Sequence, residues 1–151
     1  MTAKFEYPVL SCDIYDGDTI KATIDRGFGD SKKLSIRIKG IDTPEIRHTN
    51  PLHKEAGFAV RAVGDLWLHE VQKGGRILMF RSTDRDKYSG RGVGNFYADD
   101  CDFGAFMIRH GFAKFYGGGT KNKWTDAELL IVRDRAKMYV REGGKKVELA
   151  R

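Results

Sequence analysis

Leu10, Cys12 and Ile14 fall on one side of an extended chain and Ser11 and Asp13 on the other, so residues 9–15 carry the two-residue period of a half-buried strand. The alternation stops at Asp16-Gly17-Asp18. Aspartates that bond back to their own backbone, with a glycine that tolerates positive φ, make this a hairpin turn. The period resumes over residues 19–25, with Ile20, Ala22 and Ile24 set against Lys21 and Thr23, and turns again at Gly27-Phe28-Gly29-Asp30. In a third run Leu34, Ile36 and Ile38 share one parity and Ser35, Arg37 and Lys39 the other. Arg37 is therefore expected on the face opposite the buried one, held on a rigid element. Three antiparallel strands in a meander are predicted.

After Gly40 the chain presents Asp42, Thr43 and Glu45 in quick succession, and Pro44, which has no N–H, denies a regular continuation of the sheet. Residues 46–51 are polar and irregular. From Leu52 the period changes: Ala56, Ala59, Val60, Val63, Leu66 and Trp67 recur at steps of three and four, one apolar face of a helix that reaches about Val71 and stops at Gly74-Gly75. Short strands follow at 76–81 and 91–97, separated by a loop. A brief helix over 103–110 ends at Gly111, Gly117-Gly118-Gly119 reads as a loop, and Thr125 opens a last helix with Glu128 three residues on, a capping-box pattern. The pattern predicts an α+β, mainly β chain: a five-stranded Greek-key barrel of the OB type with three packed α-helices.

Composition narrows this only slightly. The 151 residues suit one domain, with a core spanning about 10–141. A net charge of +6 favours a polyanionic partner, although scattered solvated lysines give the same figure. Cys12 and Cys101 have no C-x-x-C spacing, which offers no zinc or redox motif and predicts free thiols. No apolar run approaches a membrane span, and the first twenty residues lack the apolar stretch of a signal peptide, so a cytoplasmic protein or the mature form of an exported one is expected. A monomer is the expectation.

Each chemical feature has a plain reading. Asp16-Gly17-Asp18 alone is a turn, Arg37 a strand-face cation, Asp42-Thr43-Pro44-Glu45 a helix entry with proline early. No metal-ligand motif joins His48 and His53 to His69 or His110, which favours loop and surface histidines. Trp67 belongs to the apolar helix face, and Trp124, before the last helix, reads as a packing staple.

The register among the pieces argues otherwise. Asp16-Gly17-Asp18-Thr19, Ile36-Arg37, Gly40 through Glu45, Glu55-Ala56, Asp86-Lys87-Tyr88, Gly90-Arg91 and Arg109-His110-Gly111-Phe112-Ala113 together resemble the staphylococcal nuclease (thermonuclease) family in order and spacing. That resemblance implies a calcium-dependent phosphodiesterase acting on DNA and RNA with little base preference. It implies Asp18, Asp42 and the backbone carbonyl of Thr43 as ligands of Ca²⁺, a hard cation suited to oxygen donors. It implies Arg37 and Arg91 as the phosphate grip, Glu45 as the carboxylate that orients or deprotonates water, and Lys87, Tyr88 and Tyr116 as nucleotide contacts. Asp16 is read as structural, with support of a metal ligand as the alternative. Three departures stand out: Ser89 lengthens the loop before Arg91, Tyr116 is followed by glycines, and no tryptophan lies past Gly143. A catalytically silent OB-fold module that binds nucleic acid or protein is the alternative, and a basic domain of merely similar architecture a third; the intact carboxylates and arginines favour the enzyme.

Overall fold

The computed structural model describes residues 5–85 and 91–144. Its elements run β1 (Phe5–Asp16), β2 (Thr19–Gly27), β3 (Asp30–Ile38), β4 (Ile41–Asp42), α1 (Pro51–Lys73), β5 (Met79–Arg85), β6 (Arg91–Ala98), β7 (Cys101–Asp102), α2 (Phe103–Arg109), β8 (Lys114–Phe115) and α3 (Asp126–Arg141). The predicted meander is present, with Ile14 opposite Ile20 and Ile20 opposite Ile36. β1 is longer than its alternation suggested. Its first residues, Phe5 to Pro8, pair with β5 and the remainder with β2, and the register shifts between Val9 and Ser11 where it passes from one partner to the other. Proline at this handover costs no interior ladder bond.

A parallel pairing of β3 with β6, Ser35 opposite Arg91 through Ile38 opposite Gly94, closes the sheet into a five-stranded mixed barrel accompanied by three helices. Gly94 permits the closure, because a Cβ there would overlap the Arg81 carbonyl on β5. β5 begins at Met79 rather than 76 because Arg76 is still part of the helix exit: its N–H bonds to Val71 O (3.2 Å), Gly75 takes φ +70°, and Ile77 stays exposed. The pairs β4–β8 and β6–β7 are two residues long on one side, too short for any period to announce.

Ile14, Ile20, Ile36, Ile38, Phe80 and Phe96 fill the barrel, and Val60, Val63, Phe103, Met107 and Leu129 pack the helices onto it. Each such side chain contributes about 2 kcal/mol on leaving water. Beyond α2 the rings of Phe106, His110, Phe112 and Tyr139 form an aromatic cap, Phe106 to His110 at 4.7 Å and Phe112 to Tyr139 at 5.2 Å, both edge to face. The capping box predicted for α3 is present, with Thr125 Oγ1 accepting from Glu128 N (3.2 Å) and a Glu128 carboxylate oxygen accepting from Thr125 N (2.9 Å). Both cysteines are free thiols, and burial, then Asp13, pushes the Cys12 thiol up to about 11. Among the described residues no helix is long and apolar enough to cross a membrane.

Candidate active site

Two loops meet where the barrel opens, and α1 presses them together. A Cβ on Gly57, in the second turn of α1, would lie 2.5 Å from the Glu45 carbonyl oxygen, and one on Gly17 would lie 2.6 Å from Val60 Cγ1. The helix therefore carries glycine, at about 1 kcal/mol against alanine, where the backbone bearing Glu45 rests on it. Carboxylates finish the stitching. Asp16 Oδ1 accepts from Ile46 N (2.9 Å), Asp18 Oδ2 from Thr43 N (3.1 Å), and the Asp18 carbonyl from Ile38 N (2.9 Å). The β1–β2 hairpin turn is thus tied to the end of β3 and to the loop beyond it.

Asp16, Asp18 and Asp42 are only 8%, 3% and 6% exposed. Arg37 reaches Asp18 from the outer face of β3, its Nη1 lying 3.3 Å from Oδ2 and donating to the Asp18 carbonyl at 3.2 Å. Its Nη2 is buried and meets no hydrogen-bond partner among the described residues, so half of the guanidinium fork is kept for something else. The parallel β3–β6 pairing sets Arg91 beside Ser35, on the same face as Arg37. Asp18, Arg37, Glu45 and Arg91 accordingly line one cavity of about 360 Å³, with Lys21 and Lys121.

Asp42, Thr43 and Glu45 line an adjoining cavity of about 290 Å³ with His48, His53 and Trp124. Asp42 is held on both oxygens, by Lys121 Nζ at 3.3 Å and by the Trp124 indole N–H at 3.1 Å. Glu45 and Lys121 belong to both cavities. The Tyr116 ring lies 5.9 Å from the Arg37 guanidinium and 5.6 Å from Lys121 Nζ, and its hydroxyl donates to Gly119 O. Of the residues singled out from the sequence, Asp18, Arg37, Glu45 and Arg91 are brought to one wall, Asp42 and Thr43 stand next door across Glu45, and Tyr116 flanks them. Lys87, Tyr88 and Ser89 lie outside the described residues.

Burial pushes the Asp16 carboxyl up, and the Asp18 and Glu45 charges add to this against the opposing Ile46 N–H and Arg37. The end of the barrel is an acidic, partly dehydrated pocket facing two arginines. Among the described residues no three His, Cys, Asp or Glu side chains are gathered closely enough to form a metal cage by themselves. The donors are nonetheless of the right chemistry for a hard cation, being oxygen only, and Ca²⁺ readily completes its six to eight ligands with water.

The expectation of loop and surface histidines fails for His53. It sits in the first turn of α1, 8% exposed, its ring parallel to that of His48 at 3.8 Å and 6°. Burial, then the neighbouring His48, lowers its pKa against the pull of Glu45 and Asp42. Trp124 does pack against the core, and also bonds Asp42. Sequence reasoning missed Lys121 and Gly57 as well. A glycine inside a helical pattern is a cost of about 1 kcal/mol against alanine that asks for a reason, and that signal was available; a lysine after a glycine run carries none.

A family model described as "Staphylococcal nuclease homologue" matches residues 35–141, well over half of the chain. Among curated proteins, no match to the chain is found.

Proposed function

Because the chain belongs to the staphylococcal nuclease homologues, we propose that it is a calcium-dependent nuclease that hydrolyses phosphodiester bonds of both DNA and RNA. The observation that carries this reading is the position of Glu45, on the wall shared by a cavity bearing Arg37 and Arg91 and a cavity bearing Asp42 and Thr43. A phosphodiester lying between the arginines and the carboxylates has a cationic grip on one side and a base beside it.

Arg37 and Arg91 bind the non-bridging phosphate oxygens. Arg37 Nη2, without a partner among the described residues, is the donor left for this, since Nη1 is committed to Asp18. Charge grows on these oxygens as water attacks, so the two forks count most in the transition state; losing one costs about 3 kcal/mol, roughly a hundredfold in rate. Glu45 accepts a hydrogen bond from the attacking water, orients it, and takes its proton as the new P–O bond forms; the P–O bond to the leaving sugar oxygen breaks, and that oxygen takes a proton from solvent. Asp18, Asp42 and the Thr43 carbonyl are the groups that would hold Ca²⁺, which when bound supplies Lewis-acid polarisation of the phosphate and acidifies water. Lys87 and Tyr88, with Tyr116, are assigned to the nucleotide, lysine on phosphate and tyrosine beside sugar or base.

The test is cleavage of plasmid DNA and of single-stranded RNA in Ca²⁺, in Mg²⁺ and with a chelator. Cleavage of both polymers in Ca²⁺, abolished by the chelator, is expected. Equal cleavage with and without the chelator overturns the calcium dependence, and no cleavage with any metal leaves a module that binds nucleic acid or protein without cutting.

A further inference from the structure

The His48–His53 pair is not used by the mechanism above, and no motif in the sequence marks it. Its geometry is specific. The rings lie 3.8 Å apart and are tilted by only 6°, the inner one buried in α1 and the outer one exposed. The outer ring is also pinned at its edge, because His48 Nδ1 accepts the Asn50 backbone N–H at 3.0 Å. Asn50 is the N-cap of α1, its own side chain accepting from Leu52 N at 3.0 Å, so the pin is anchored to the helix start. With Nδ1 accepting, the neutral ring carries its proton on Nε2 and presents a donor at the free edge. Beneath it His53 Nε2 is buried with no partner among the described residues and lines the same cavity.

A flat ring that is fixed in plane, backed by a second ring and open on its far face is what a nucleobase stacks on. The ring also has cations on both flanks: His48 lies between the cavity of Lys121 and Lys123 and a shallower one lined by Arg47, Lys54 and Phe58. Phosphates on either side of a stacked base would each meet a positive charge. We infer that His48, held by His53 and Asn50, is a stacking platform for the base of a nucleotide neighbouring the scissile phosphate, in the cavity that meets the arginine cavity at Glu45. This rests on the reading of nucleic acid as the substrate. Stacking of this kind tolerates any base, since every base has a π-face.

The test is binding, measured separately from cleavage. A fluorescent single-stranded oligonucleotide and an abasic strand of the same length are titrated by anisotropy, at low salt with chelator, against the native chain, His48→Ala and His48→Phe. The native chain should prefer the strand with bases; His48→Ala should weaken that strand by about tenfold or more while leaving the abasic strand unchanged, and His48→Phe should restore most of the loss. No preference for bases in the native chain, an equal loss on both strands, or no rescue by phenylalanine overturns the platform. A base-dependent loss in a protein that never cleaves would keep the platform and remove the nuclease reading; cleavage without a base-dependent loss would do the reverse.

Discussion

Two regions of this molecule treat polar groups differently. Where α2 and α3 meet, Phe106 to His110 and Phe112 to Tyr139 pack edge to face, Phe112 is fully buried, and one buried donor nearby, Trp67 Nε1, has no partner among the described residues. Where the barrel opens, Asp16, Asp18 and Asp42 are withdrawn from water beside one another, and Arg37 Nη2, Thr43 Oγ1 and His53 Nε2 have no partner among the described residues. Burying carboxylates together and leaving donors unpaired costs stability. The arrangement makes sense if the aromatic cluster holds the fold and the carboxylate region keeps its bonding capacity for a ligand.

The sharpest way to break that contrast is Phe112→Ala. Emptying a fully buried aromatic site should cost about 3–5 kcal/mol of unfolding free energy, read from denaturant titration. Cleavage per folded molecule should not change. A parallel fall in turnover would show that the two regions are coupled. Glu45→Gln is the mirror experiment. Turnover should drop by about a hundredfold or more, while the melting temperature stays level or rises, because the Glu45 charge is one of those that push the Asp16 carboxyl up. A clear loss of stability would mean that Glu45 supports the loop rather than the reaction.

Ca²⁺ offers a third cut through the same comparison. If Asp42 holds the ion, Ca²⁺ at a hundredfold over its Kd should raise the unfolding free energy of the native chain by about 2.7 kcal/mol. Asp42→Asn should lose that increment, while Phe112→Ala, in the aromatic cluster, should keep it. An increment surviving in Asp42→Asn would move the ion elsewhere.

The two regions also differ in how much the sequence revealed. The strand-borne part of the site was plain, because a period of two assigns Ile36 and Ile38 to the core and Arg37 to the outer face without reference to anything distant. The capping box at Thr125 was equally local. What stayed hidden depends on contacts between elements. The first residues of β1 look like a poor strand because their partner, β5, is about seventy residues away and Pro8 and Glu6 interrupt the pattern. β4 and β8 are two residues each and exist only because the barrel brings them together. The histidines spaced five apart look like loop residues until α1 begins at Pro51 and folds His53 under His48. Lys121 follows a run of glycines, and only the folded chain brings it to Asp42. The aromatic cap was the least legible, since Phe112 and Tyr139 come from different segments and no period links them.

The smallest effect is expected at the seam between the two regions. Glu128 caps α3 and accepts from Lys114 Nζ at 2.9 Å, Lys114 Nζ lies 4.4 Å from the centre of the Trp124 ring, and Trp124 bonds Asp42. The Lys114 hydrogen bond, with the Thr125 N–H next, holds the Glu128 carboxyl below its ordinary value near 4.5. A depressed value means that the ionised form is the one the fold favours, so its contribution is complete above pH 4.5 and disappears as the pH falls through the folded-state value. Glu128→Gln keeps an oxygen for the Thr125 N–H and removes only the charge. The carboxylate is substantially exposed, so the difference from the native chain should be only about 0.5 kcal/mol at pH 7, and the two melting curves should converge in acid. A difference that persists below pH 3 would place the effect in the geometry of the cap instead of the charge, and the link from α3 through Trp124 to Asp42 would then be one of packing.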